Sequence, residues 1–76
     1  MLDEIRENID GVDEVIMEAL HQRFHLVETM AEHKISLVDE EREKEILAKA
    51  PSELVAEVYR AVFAASKKLL KDKGLS

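Results

Sequence analysis

Seventy-six residues with 17 acidic and 11 basic side chains, a net charge of -6, make one domain at most. That is close to the size at which a lone hydrophobic core is marginal. The negative balance excludes a phosphate backbone or an anionic membrane as the expected partner, and the lack of cysteine removes disulfides, Cys-ligated metals and thiol nucleophiles.

With one Tyr, two Phe and no Trp there is little on which nucleic-acid bases could stack. No apolar run approaches membrane-spanning length, and the acidic opening does not read as a signal peptide, so a cytoplasmic location is the default expectation.

Residues 2–37 read as one long helix. In heptad order its seam is Leu2, Ile5, Ile9, Val12, Ile16, Ala19, Arg23, Leu26, Met30, His33 and Leu37, and nine of these eleven are apolar or Ala. Such sustained spacing is meant for burial against another helix. A second row, Leu20, Phe24, Val27 and Ala31, widens the apolar face in the C-terminal half, which therefore expects more than one neighbour. Asp3 and Glu4 suit the positive end of the helix dipole, and Gly11 is the weak point, costing about 1 kcal/mol relative to Ala. A helix of ~35 residues is ~50 Å long, far longer than a globule of this size is wide. A monomer could not cover the seam. An intertwined homodimer is expected, with the long helices paired about a two-fold axis.

Asp39 can cap a second, short helix over residues 40–49, with Glu40, Glu41 and Glu43 near its N-terminus and Ile46 and Leu47 as apolar contacts. Pro51 ends it and fits the first turn of a third helix over residues 52–71. The apolar row there is Val55, Val58, Val62, Ala65 and Leu69, flanked by Leu54, Ala61 and Phe63. Lys71, Lys73 and Gly74 form the ending. The expected fold class is all-α, three helices per chain in a single domain over residues 1–76.

Four cations stand out: Arg6, Arg23, Lys34 and Arg42. Arg23 interrupts an apolar seam, where an unpaired charge costs several kcal/mol, so something anionic should meet it. Arg23 and Lys34 differ by about 20° around the helix and lie ~16 Å apart along it, so both can lean over one small anion. Arg6 is ~25 Å from Arg23 along the rod, beyond the reach of a small ligand within one chain. In an antiparallel dimer the partner's Arg6 could return to the site around Arg23, giving two equivalent sites. The plainer reading is solvated helix charges: Arg6 with Asp3 or Asp10, Arg42 with Glu41 or Glu45, and Lys34 crowning a helix end.

The pattern Ile5-Arg6-x-x-Ile9-Asp10-x-Val12-Asp13, then Arg23-x-x-Leu26-Val27, Ala31-Glu32-x-Lys34, Asp39-x-x-Arg42-Glu43 and Tyr59-Arg60-Ala61-x-Phe63-x-x-Ser66 resembles the all-helical chorismate mutases over nearly the whole chain. The resemblance implies a dimer of three-helix subunits converting chorismate to prephenate without a metal or cofactor. Carried over position by position, Arg23 and the partner subunit's Arg6 would bind the substrate carboxylates. Lys34 would bridge a carboxylate and the ether oxygen, Arg42 would support binding and Glu43 would take the ring hydroxyl. Asp39 and Ser66 would line the site, and Ile9, Met30, Ile46 and Phe63 would form its apolar walls. The family usually has Gln or Glu, a second partner for the ether oxygen, where this chain has Leu70; Lys67 and Lys71 lie on neighbouring helical faces and are not expected to replace it. The link from Lys34 to Arg42 is also several residues shorter than the family's usual one.

That residue set suits a [3,3] rearrangement, which needs carboxylate clamps and a cation at the ether oxygen rather than a nucleophile or proton shuttle. Two alternatives stay open: an isochorismate-pyruvate lyase using a similar cationic pocket, and a non-catalytic dimerisation or regulatory module, which Leu70 favours. His21 and His25 have the i,i+4 spacing of a metal pair but no third ligand, and read as surface histidines. His33 reads as a polar edge residue, and Met17 as core.

Overall fold

A computed structural model of the chain describes residues 1–33 and 40–74. They form three helices in the order α1 (Leu2–Glu32), α2 (Glu40–Ala48) and α3 (Glu53–Asp72), and among the described residues there is no strand. No helix is long and apolar enough to cross a membrane among those residues.

The first helix ends at Glu32, short of the expected residue 37; His33 is its cap, with its N–H bonded back to the Thr29 carbonyl. The last turn carries Glu32 and has no basic residue of its own, an unfavourable charge for the negative end of the helix dipole. The expected cap Asp39 lies outside the described residues. Pro51 does not enter the first turn of α3. Ser52 takes the N-cap in extended geometry, its hydroxyl accepting from the Val55 N–H, and Pro51 precedes it. At the other end Gly74 has φ 77°, the left-handed turn that glycine adopts without Cβ strain, and its N–H closes on the Lys71 carbonyl.

Both α1 and α2 pack against α3. The core lies at the C-terminal end of α1, where Val27 and Ala31 meet Leu70, with Leu69 alongside; Ala56, Val62 and Phe63 are the other buried apolar residues. An ion pair from Lys73 to Glu28 at 3.3 Å ties the same two helices. On α1, then, it is the second apolar row that packs within the chain.

The heptad seam stays open. Leu2, Ile5, Ile9, Val12 and Ile16 are between 48% and 61% exposed, and Met17, expected in the core, is also exposed. The face of α3 is shifted in the same sense: Ala56, Phe63, Ser66 and Leu70 are buried, while Val58 and Ala65 of the expected row are exposed. The two open rows meet in an apolar groove of about 440 Å³ lined by Ile16, Ala19, Leu20 and Arg23 of α1 and Leu54, Val55, Val58, Tyr59 and Val62 of α3.

The chain exposes 6399 Å² within a shape 49 Å long and 15 Å thick. A compact monomer of this mass exposes ~4,700 Å². The exposed apolar seam of α1 is part of that excess.

Candidate functional site

A cleft forms where α2 crosses α3 beside the C-terminal half of α1. Its lining is Arg23 from α1, Arg42, Glu43 and Ile46 from α2, and Phe63, Ser66, Lys67 and Leu70 from α3. Seven of these eight are residues singled out in the sequence.

Arg23 is held from two sides. Its Nη1 donates to Ser66 Oγ at 2.6 Å, and its guanidinium carbon lies 5.6 Å from the centre of the Phe63 ring. Ser66 is buried, and its single hydroxyl proton goes to the Val62 carbonyl at 2.9 Å. That bond turns an oxygen lone pair toward Arg23. Phe63 is in turn braced edge-on by Tyr59, with ring centres 5.9 Å apart and planes at 61°. A half-buried guanidinium is therefore oriented by a hydroxyl and an aromatic face, and among the described residues it meets no carboxylate. Among the described residues none supplies the anion expected opposite it. The desolvated cation over an aromatic ring keeps most of its donors for another group.

The remaining charges define the rim. Lys67 Nζ lies 3.3 and 3.2 Å from the two oxygens of Glu43, joining α3 to α2. Arg42 stands on the exposed side of α2. Three cations and one carboxylate give the lining a net charge of +2 in a chain whose overall charge is -6. Ile46, Phe63 and Leu70 make the apolar floor, Leu70 being only 4% exposed. The void left among these side chains is about 30 Å³, close to the size of a water.

The structure does not bring every candidate together. Arg6 and Ile9 sit on the exposed N-terminal half of α1, and Arg6 has no ion-pair partner among the described residues, neither Asp3 nor Asp10. Met30 is half-buried and does not line the cleft. Lys34 and Asp39 lie outside the described residues. Lys67 is the cleft residue that sequence reasoning named beside Leu70 and set aside. On an ideal helix Phe63 and Leu70 fall within about 20° of each other, with Ser66 and Lys67 on either side, about 60° and 40° from Phe63. The spacing 63, 67, 70 was the signal. His21, His25 and His33 are exposed, and among the described residues no cluster of His, Cys, Asp or Glu could hold a metal.

A profile of the family described as chorismate mutase type II matches residues 5–71. No curated protein and no solved structure matches the chain.

Proposed function

We propose, because the chain belongs to the type II chorismate mutase family, that it converts chorismate to prephenate at the cleft beside Arg23. The observation that carries this reading is the half-buried Arg23 guanidinium, oriented by Ser66 and Phe63, without a carboxylate, in a lining of charge +2. A dicarboxylate of charge -2 is the complementary ligand.

In the reaction the ether C–O bond breaks as a new C–C bond forms within one molecule. No proton moves and no group leaves, so the enzyme's work is to fold the enolpyruvyl arm over the ring and to meet the charge that develops on the ether oxygen. Arg23 and the partner subunit's Arg6 clamp the two carboxylates. Lys34 contacts a carboxylate and the ether oxygen. Arg42 strengthens binding, Glu43 accepts the ring hydroxyl, and Asp39 and Ser66 complete the lining. Ile9 of the partner, Met30, Ile46 and Phe63 form the apolar walls, and Leu70 occupies the floor. With a void of about 30 Å³, substrate entry requires the cleft to widen.

The dimer belongs to this reading. The partner's α1 fills the apolar groove, laying its own seam against Ile16, Leu20, Val58 and Val62. Arg23 borders both the groove and the cleft, so a helix seated in one delivers its side chains to the other. Arg6 is ~25 Å from Arg23 along its own helix and can complete a site only in the opposite subunit.

Chorismate disappearance, followed by ultraviolet absorbance, tests the reading. Wild type turns chorismate into prephenate, and Arg23→Ala lowers kcat/KM by about 10²–10³-fold with the helical content unchanged. Equal rates in the two proteins would overturn it. One observation favours a second reading, a non-catalytic module of the same fold: Leu70 puts no donor where the family has one. That reading predicts little turnover in either protein. A lyase is separated by its products, salicylate and pyruvate from isochorismate.

A further inference from the structure

The roles above leave Lys67 without a task and Glu43 with an awkward one. A carboxylate in the wall of a cleft that receives a dianion repels its own ligand. Yet Glu43 is partly buried, at 22% exposure, and lines the cleft beside Arg23 and Arg42. Lys67 resolves the conflict. Its ammonium reaches both carboxylate oxygens, at 3.3 and 3.2 Å, from α3 across to α2. The contact cancels the negative charge that the substrate would meet. It also fixes the Glu43 rotamer, while a carboxylate with two oxygens retains lone pairs for a hydroxyl.

We propose that Lys67 is a positioning residue: it holds and neutralises Glu43 so that this carboxylate accepts the substrate's ring hydroxyl without repelling the substrate's carboxylates. The proposal rests on the chorismate reading of the cleft and extends it to substrate selection. Glu43 with Lys67 selects for a hydroxyl on the ring; Arg23 selects for charge. A plain tie between α2 and α3 is the competing account, since an ion pair with Lys67 48% exposed is an ordinary surface contact.

Steady-state chorismate kinetics on Lys67→Ala, Lys67→Arg and the double variant Lys67→Ala/Glu43→Gln separate the two, with melting temperature measured alongside. Lys67→Ala raises KM about five- to tenfold with kcat within about twofold, because Glu43 is left unneutralised at the rim. Lys67→Arg returns KM to within about twofold of wild type. The double variant has a lower KM than Lys67→Ala alone, since an uncharged amide no longer repels the dianion. A wild-type KM in Lys67→Ala overturns the proposal. So does a double variant no better than Lys67→Ala, with both melting lower, which is the signature of a helix tie alone. If wild type itself fails to turn over chorismate, the reading of the cleft falls and this proposal with it; in the other failures only the proposal falls.

Discussion

Val12→Glu is the perturbation that best isolates the seam. Val12 is 58% exposed and belongs to the seam row of α1, on the half of the helix that extends beyond the core. Within one chain an exposed glutamate there is almost neutral, since surface substitutions stay within about 0.5 kcal/mol. In the proposed dimer the same position is covered. A proposed dimer as compact as a protein of twice the mass, at ~7,800 Å², would bury about 4,900 Å² in total from two chains that each expose 6399 Å² alone. That falls in the range of obligate dimers, ~2,000–5,000 Å². The two-fold axis doubles the perturbation. At about 3 kcal/mol for each uncompensated buried carboxylate, the dimer loses ~6 kcal/mol, or roughly four powers of ten in Kd. Sedimentation equilibrium of both proteins, with thermal melts at several concentrations, reads this directly. Wild type is dimeric with a concentration-dependent melting temperature, and Val12→Glu dissociates and melts lower. A variant that stays dimeric with the wild-type melting temperature would refute the reasoning.

Two other substitutions probe the cleft. Ser66→Ala removes the acceptor that orients Arg23 and frees the Val62 carbonyl from its hydroxyl contact. It should cost about 1 kcal/mol of stability and about tenfold in kcat/KM, seen by denaturant titration and kinetics, whereas an unchanged kcat/KM would mean that Arg23 needs no anchor. Leu70→Gln introduces a donor at the floor but places an amide against Val27 and Ala31. The melting temperature should fall, by the equivalent of about 1–3 kcal/mol, while kcat/KM rises by as much as about a hundredfold. A drop in kcat/KM per folded molecule would contradict the placement of residue 70 at the ether oxygen.

Helix number and type were legible because the apolar spacing, the break at Pro51 and Gly74 all act locally. The ends were less so. Periodicity alone carried the first helix through to residue 37, although its acidic last turn is a poor helix ending; residues 34–37 lie outside the described residues. Which face packs inside one chain was hidden for a different reason. A reading by hydropathy chose Val55, Val58, Val62, Ala65 and Leu69 on α3; the chain buries Val62 but leaves Val58 and Ala65 exposed, and buries Ala56 and the polar Ser66 instead. Small and hydroxyl residues permit close helix contact without contributing to an apolar stripe. Val55 and Val58 of the stripe that hydropathy found line the open groove. Among the cleft residues, Arg23 was conspicuous as a charge in an apolar seam, and Arg42, Glu43, Ser66 and Phe63 came from the family pattern. Lys67 belonged to neither group. Its place follows from the crossing of α2 over α3, which brings Glu43 to it from 24 positions away.

The central claim is that Arg23 of one subunit works with Arg6 of the other. Mixing inactive Arg6→Ala and Arg23→Ala proteins under exchange conditions tests it most directly. Random reassortment makes half of the dimers mixed, and each mixed dimer carries one site with both arginines intact, so about a quarter of wild-type chorismate mutase activity returns. If Arg6 served its own chain, every site in the mixture would lack one arginine, and an activity no higher than that of the parent variants would contradict the account.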